Sequence, residues 1–561
     1  VGCVLLPALP VTSEEPTPPE ASSRGARWGA TAAWTALYAL AVVAFTWPLG
    51  AHLVDHLPKG NVPTSVPASA GAWALWWVSD RLAHGFVGLW EGPIFYPAAG
   101  TFGYSETTLP LGIAAAPLLW MGAELPLVYN LVVLGSLVLN GLAARSLAHT
   151  LHTHPLTAGL VGLMMAVTPL GLIWISVLPL VPLFGITWFF RAMIRFGRDP
   201  GPRTGAEVGG TLALSWLLCL QYGLFLTLVA PLMAGVVKWR ERGTWRGIGV
   251  GAVVLVAILA PVLLPQRAIL EEHGFERTEE RAEKGAFAIQ RSWWDAPVEP
   301  RLHIPGPGHR PGSPIYPGTL PLLLVAVALA RRGRDREVVS LSVVAGTAMV
   351  LSVLPTLPDV GPAAWDWLRD HVPGLALIRE GKRAGASTVA LLPALVALGL
   401  DPIVRHRKAW PAAIALVAAT LVNEFPEPAA LQSAPTVAAH RALVDAIVEH
   451  VPEDGVLLML PYTHDASKTP EADRMVLQAG HGRRLVNGYS SYYPPIYWKL
   501  RRAFKTGPDA HALQQLREVG VTHLVVPPDW LDRLPGTELV WRGEDEALVR
   551  LLPEAPEAPP G

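Results

Sequence analysis

The chain has 561 residues, 51% of them hydrophobic and only 16% charged, where an ordinary soluble domain carries roughly 25% charged residues. That balance excludes a single water-soluble enzyme. The 44 Lys plus Arg nearly cancel the 45 Asp plus Glu, so no net field exists to draw in nucleic acid, and no nucleic-acid partner is expected.

In chain order, residues 1–27 hold Pro16, Pro18 and Pro19 among scattered Ser, Thr and Glu. They read as a disordered cytoplasmic tail that is retained, because no basic start leads into a short apolar stretch with a cleavage site. Cys3 lies in this tail and Cys219 inside a later apolar run, a placement with neither disulfide geometry nor metal-ligand spacing. Residues 28–48, WGATAAWTALYALAVVAFTWP, are free of charge over the roughly 20 residues that cross a bilayer core, and predict the first span. Further spans are predicted at 127–148, 157–170, 172–190, 207–220, 222–237, 247–264, 317–330, 338–355, 385–400 and 409–423, giving a bundle of about eleven over 28–424.

Basic residues of short connections resist translocation and so set orientation. They cluster at Arg191, Arg195, Arg198 and Arg203; at Lys238, Arg240, Arg242 and Arg246; at Arg331, Arg332, Arg334 and Arg336; and at Arg405, Arg407 and Lys408. These positions fall at every second connection, on the side of Arg24, Arg27 and Arg145. The predicted topology has the N-terminus cytoplasmic and the C-terminus outside. The long segments 50–126, 265–316 and 356–384 then lie on the outer face, with everything after Asn423.

Within the first outer segment, the Trp-rich stretch 73–90 carries a narrow polar stripe of Asp80, Arg81 and His84, the pattern of a helix lying in the interface plane. Residues 109–122 are too short to span comfortably and hold two prolines, which predicts a re-entrant or interfacial piece. The loop 265–316 has nearly balanced charge, with Trp293, Trp294 and Tyr316 in its second half. It reads as a folded lid or solvated loop. Beyond 436 the composition changes. VAAHRALVDAIVEHV and PDAHALQQLREVG have helical periodicity, VLLMLP and THLVVPP read as buried strands, and LVWRG with ALVRLLP could form a hairpin. The expected fold is therefore mainly α, a polytopic membrane helix bundle with a small extracytoplasmic α/β domain at 436–553 and a disordered tail at 554–561.

Five stretches recur in a telling order: TWPL at the end of the first span, IFYPAAGTFGYSE at 94–106, VYNLVVLGSLVLNGLAARSLA at 128–148, HVPGLALIREGKRAG at 371–385 and RLVNGYSSYYPP at 484–495. Together they resemble the GT-C class of polytopic membrane glycosyltransferases, more narrowly the bacterial relatives of lipid-phosphate-sugar-dependent mannosyltransferases. The resemblance implies an integral protein of a bacterial-type inner (plasma) membrane that transfers a sugar, on the outer face, from a polyprenyl-phosphate carrier to an acceptor. It also implies a carboxylate in the first outer segment as general base, often with a divalent metal. The chain departs from the pattern where that acid usually stands: residues 61–73 contain no Asp or Glu.

Two carboxylates remain as candidate catalytic bases. Glu106 follows an aromatic-rich turn and precedes an apolar stretch, so burial could raise its pKa toward a useful range; it could equally be a solvated loop acid. Asp55 stands at the exit of the first span beside His56 and near His52. Arg379, Lys382 and Arg383 follow the apolar VPGLALI on the outer face, where basic residues run against the positive-inside bias. They are candidates for the substrate phosphate, which Arg grips bidentately, or for headgroup anchoring. Arg267 is a further phosphate candidate. Asp80 and His84, at i and i+4, are better read as a polar stripe than as metal ligands, and the HTLHTH run of His149, His152 and His154 falls on the cytoplasmic side. NGYSSYYPP at 487–495 is either a lip for the acceptor or packing of the domain onto the membrane face.

Two functional classes follow. One is a membrane glycosyltransferase using Glu106 or Asp55 as base and Arg379 or Arg383 on the leaving phosphate. The other is a non-catalytic envelope membrane protein that keeps the scaffold to bind a lipid-linked glycan or partner proteins, which the missing acid favours. A secondary transporter would require two related halves with matching broken helices, and no such repeat is visible.

Overall fold

The computed structural model describes residues 24–60, 66–275, 319–357, 360–375, 381–406, 408–423, 430–462, 470–504 and 508–553. The expectations for 1–23 and 554–561, for Trp293, Trp294 and Tyr316, and for Arg379 and Arg407 fall outside these residues. Helix α1, Arg24–Phe45, starts inside the stretch that the sequence assigns to the tail. Strand β1, His56–Pro58, leads to α2, Val66–Ala83, α3, Leu109–Trp120, and α4, Leu125–Thr150. The bundle continues with α5, Pro155–Ala166, α6, Pro169–Ile173, α7, Phe184–Arg198, α8, Pro202–Leu218, α9, Leu220–Val229, and α10, Arg242–Glu272. Its last helices are α11, Thr319–Arg332, α12, Arg336–Val353, α13, Gly361–His371, α14, Gly385–Arg405, and α15, Trp410–Asn423.

Among the described residues, seven helical stretches are long and apolar enough to cross a membrane: Trp28–Phe45, Leu125–Thr150, Pro155–Ile173, Leu178–Arg198, Arg242–Glu272, Arg336–Val353 and Gly381–Arg405. The other four stretches that the sequence reads as spans form the shorter helices α8, α9 continued by a 3-10 turn to Val236, α11 and α15. Helix α10 runs past the predicted loop start at 265, carrying Pro261 and Pro265 within it, and ends at Glu272.

Lipid supplies little hydrophobic drive between helices, so close backbone approach at small residues takes over. Helices α8 and α10 meet this way. A Cβ built on Gly205 would stand 2.0 Å from the Gly247 carbonyl oxygen, and one on Gly209 would stand 2.1 Å from that of Gly251. Buried amides tie other helices together. Asn140 of α4 accepts from the Leu183 and Phe184 backbone N–H groups at 2.8 Å each and donates to the Val181 carbonyl at 2.9 Å. It thereby satisfies orphan donors at the start of α7.

Helix α4 also measures the bundle from end to end. Near Thr150, Arg198 donates to the Thr150 carbonyl at 2.6 Å and pairs with Glu337 at 2.6 Å, Lys238 donates to the Arg198 carbonyl at 2.7 Å, and Arg405 donates to the His152 carbonyl at 2.9 Å. Members of all four basic clusters, Arg332 joining through the Asp335 that precedes α12, thus gather at one end. At the other end Glu124 accepts from the Val437 and Ala438 N–H groups at 3.3 and 3.2 Å. The 26 residues between cover about 39 Å.

The C-terminal unit contains β2, Leu431–Ser433, α16, Arg441–His450, β3, Val456–Met459, α17, Glu471–His481, and β4, Arg484–Leu485. It ends with α18, Pro495–Ala503, α19, Ala510–Val519, β5, His523–Val526, β6, Thr537–Arg542, and β7, Ala547–Leu551. Five strands form one sheet in the order β4-β3-β5-β7-β6, with β3 parallel to β4 and β5, and β7 antiparallel to β5 and β6. The fully buried β3 and β5 are covered on both faces, which is why they read as continuous apolar runs.

This unit is joined to the first long segment by backbone and side chain. Leu485 N–H donates to the Pro93 carbonyl and Tyr96 N–H to the Leu485 carbonyl, both at 2.9 Å, while Phe95 N–H reaches the Asn487 carbonyl at 3.1 Å. Residues 93–96 therefore occupy the open edge of β4. Separately, β1 pairs antiparallel with β2, His56 opposite Ser433. The Trp-rich α2 departs from its expected place among headgroups. Ser69 donates to Asp473 at 2.6 Å and Trp73 Nε1 to Gln478 at 2.8 Å, so α17 covers it, and Trp73 and Trp77 are only 4% and 6% exposed.

The glycine contact gives a direct test. Gly209→Leu forces the Gly251 backbone away, and overpacking of this kind costs about 1–3 kcal/mol. A purified Gly209→Leu variant should unfold at lower temperature in detergent than Gly210→Leu, where a Cβ would meet only the Val254 side chain at 4.0 Å; equal melting of the two would refute the close contact.

Candidate functional site

The turn that carries Glu106 is fixed from three sides. Gln266 of α10, 6% exposed, donates to the Ser105 carbonyl at 2.7 Å and to the Gly103 carbonyl at 3.2 Å. The Tyr104 hydroxyl donates to the Ala99 carbonyl at 2.9 Å and lies 3.1 Å from His273 Nε2. Ser105 Oγ is 3.1 Å from Ser491 Oγ of the C-terminal unit. Just after the acid, Thr108 sits at φ +46°, a left-handed conformation unusual for a β-branched residue.

Helices α8 and α9 are separated by an extended residue, Cys219, with φ −153° and ψ 113°. The break leaves the first N–H groups of α9 without intrahelical acceptors, and Glu106 meets them. Its Oε2 accepts from Leu220 N–H at 3.2 Å and its Oε1 from the Gln221 side chain at 3.3 Å, with the Cys219 side chain also in contact. Arg383, in the 3-10 turn Gly381–Ala384 that leads into α14, faces the same carboxylate. Burial raises the pKa of Glu106 above the usual carboxylate range, and the charge of Arg383 and the hydrogen bonds oppose that rise. The carboxylate is surrounded by protein atoms, while part of the residue still reaches the surface.

The other sequence candidates divide. Lys382 stands beside Arg383 with its ammonium 5.3 Å from the centre of the Trp174 ring. Arg267 does not join the site: next to Gln266 on α10 it turns outward, pairs with Glu271 at 2.6 Å and is 76% exposed. Asp55 is 63% exposed, and the neighbouring His56 and His52 imidazoles hold its carboxyl below the usual range. Its environment therefore works against a base of raised pKa. Asp80 is taken by Arg81, which stacks 4.5 Å over Trp77, and His84 is 58% exposed. His152 lies beside Arg198 at the basic end.

The tyrosines of 487–495 pack onto the turn that bears Glu106. Tyr492 stacks on Phe275 at 5.1 Å, and Phe275 meets Tyr104 edge-on at 4.8 Å. Tyr493 meets Phe95 edge-on at 5.4 Å. Asn487 is fully buried, exchanging two hydrogen bonds with the Met459 backbone and donating to Glu471 at 2.7 Å. From sequence Cys219 was set aside, and Gln221 and Gln266 were not singled out. Only the break between α8 and α9, which falls beside the predicted boundary of the spans 207–220 and 222–237, brings the first two to Glu106.

The donors around Glu106 do not suit a divalent metal: one carboxylate faces a guanidinium, and cations repel. Among the described residues, the one group of three His, Cys, Asp or Glu side chains close enough to share an ion is His52, Asp55 and His56.

No protein-family model and no curated protein sequence matches the chain. Solved structures do resemble it. The oligosaccharyltransferase of Archaeoglobus fulgidus in its apo form aligns over 89% of this chain and 70% of its own, with a TM-score of 0.51 and 12% identity. A mutant of the mycobacterial arabinofuranosyltransferase AftD aligns in two classes over 94% of this chain, with TM-scores of 0.57 and 0.54 and identities of 15% and 14%. This chain spans only 41–42% of the length of AftD. At such identities the likeness is one of fold: the chain shares the fold of these membrane glycosyltransferases, and seven of its helical stretches are long and apolar enough to cross a membrane.

If Glu106 and Arg383 act on one another across the bundle, a double-mutant cycle with Glu106→Gln and Arg383→Gln should give a coupling energy of at least about 0.5 kcal/mol in denaturant unfolding. Additive effects would separate the two residues.

Proposed function

We propose that the protein is a membrane glycosyltransferase that moves a sugar from a polyprenyl-phosphate carrier to an acceptor on the outer face of a bacterial-type inner membrane. The observation that carries this reading is that the enclosed Glu106 carboxylate lies within reach of the charge of Arg383, from a segment far apart in sequence, at the end of the bundle away from the basic clusters. The Glu106 carboxylate takes the proton of the acceptor hydroxyl as the oxygen attacks the anomeric carbon. The bond from that carbon to the carrier phosphate breaks, and Arg383, with Lys382 beside it and Arg379 four positions earlier, holds the charge left on the phosphate. No step runs through a metal.

A specific observation also favours the non-catalytic scaffold. Glu106 already accepts from the first N–H of α9, a role that an acid fills without any chemistry. Glu106→Gln separates the two readings. It keeps the side-chain oxygen for the helix and removes the base, so transfer from a polyprenyl-phosphate sugar should fall by at least about 10²-fold with donor binding retained. Unchanged transfer would eliminate Glu106 as base, and absence of transfer by the unmodified protein would favour the scaffold.

The pH dependence carries a further signature. The base works only when ionised, so kcat/KM should fall as pH drops through the raised pKa of Glu106. Because Arg383 holds that pKa down, Arg383→Gln should shift the acidic limb to higher pH, whereas a mere headgroup anchor would leave the limb where it was. The assignment of faces is checked by labelling. In a variant lacking both cysteines, Asp454→Cys in the C-terminal unit should react with an impermeant reagent added outside intact cells, and Gly201→Cys at the basic end should not. The reverse pattern would invert the topology.

A further inference from the structure

We infer that the cavity between the last turns of α11 and α14, at the basic end of the bundle, binds the phosphodiester headgroup of one anionic phospholipid. The cavity has a volume of about 490 Å³ and is lined by Arg331 and Arg332 of α11 and by Leu398, Asp401, Pro402 and Arg405 of α14. That size falls within the range of about 300–1,000 Å³ usual for small-ligand sites. Three guanidinium groups and one carboxylate line it, so the walls carry an excess of positive charge. The two helices touch about two turns before these arginines, where a Cβ built on Gly399 would stand 1.9 Å from the Leu324 carbonyl oxygen, an approach that only glycine allows.

Most of the lining charges already have partners. Arg332 pairs with Asp335 at 2.5 Å, and Arg405 pairs with Asp401 at 2.5 Å while donating to the His152 carbonyl at 2.9 Å. Asp401 also accepts from the His154 N–H at 2.6 Å and from the Thr157 hydroxyl at 3.0 Å, so its charge is compensated within the protein. The Arg331 side chain makes no hydrogen bond or ion pair among the described residues. Its planar fork of donors matches the oxygens of a phosphate. In the opposite wall Pro402 stands inside α14 and has no N–H to give to the Leu398 carbonyl one turn earlier. The cavity thus offers an acceptor as well as donors, a lining suited to a polar headgroup rather than to an acyl chain.

An apolar approach to the cavity assigns that phosphate to a lipid. Val327 and Leu323, one and two turns before Arg331 on α11, are 43% and 59% exposed. Acyl chains lying along them bring a headgroup phosphate to the level of Arg331, in the manner of basic pockets between membrane helices. The inference is independent of Glu106 and of the side of the membrane on which the basic end lies.

The test uses the full chain, delipidated in maltoside detergent, with dioleoylphosphatidylglycerol as the probe and bound lipid counted by native mass spectrometry. The unmodified protein should hold one phosphatidylglycerol at least about 10-fold more tightly than Arg331→Gln, the scale of a lost charge-assisted hydrogen bond. Arg334→Gln removes the same charge outside the cavity lining and should bind as the parent does. Both variants keep every ion pair named above. Phosphatidylglycerol should raise the melting temperature of the parent and of Arg334→Gln, and not that of Arg331→Gln; dioleoylphosphatidylcholine should stabilise none of them. Equal losses in the two variants would reduce the basic end to a diffuse field and overturn the proposal, as would equal binding of phosphatidylcholine by the parent. Stabilisation by millimolar inorganic phosphate alone, to the extent given by phosphatidylglycerol, would assign the cavity to a free anion and overturn its reading as a lipid site.

Discussion

Everything at the candidate site depends on the edge of one small sheet being closed by a segment from the far end of the sequence. Residues 93–96 supply backbone partners to β4 and its following turn, and an unpaired edge would otherwise present bare N–H and C=O groups. That bond pattern fixes where the chain goes next. Ten residues later it delivers Glu106, after a turn bound by Gln266 and packed against the aromatic rings of the C-terminal unit. The position of the acid is therefore decided less by its neighbours in sequence than by a sheet that belongs to another part of the chain.

The two ends of the bundle use charge in opposite ways. At one end Arg191 and Arg195 share Glu207, Arg198 takes Glu337, and Arg405 takes Asp401, all at 2.5–2.7 Å and all with partial exposure. Pairs of that kind contribute little individually, and their value is to hold loops together. At the candidate site, by contrast, the carboxylate of Glu106 is enclosed. The charge of Arg383 acts on that carboxylate with less screening by water than a surface pair has.

How much of this is legible from residues alone depends on whether the cause is local. Apolar runs and basic clusters act locally, so the membrane character and the common side of the arginines can be read directly. Glu106 was also visible, because an acid between an aromatic turn and an apolar stretch is chemically odd. What could not be read was its company. Arg383 was noted for a separate reason, and Cys219 was set aside as lying inside an apolar run, although a boundary between two spans was predicted just after it. Helix α10 continues to Glu272 because a helix need not stop where its apolar run stops. The covering of α2 by α17 was hidden for a related reason: a Trp-rich face shows that something must cover it, and lipid and protein satisfy that need equally well. The acid and amide that do so, Asp473 and Gln478, lie on the helix α17, more than 400 residues away in sequence.

The long-range pairings also set an order of assembly. His56 finds its strand partner at Ser433, Phe95 at Asn487, and Trp73 at Gln478, so none of these contacts can form until the chain has passed through its final membrane helix. During synthesis the tryptophans of α2 must wait beside the bilayer with their covering face absent, an exposure that makes intermediates prone to misassembly. Contacts this distant in sequence also form slowly once they are available. Damage to the last strands would thus be felt at the other end of the sequence, since the end of the chain governs when its beginning can finish folding.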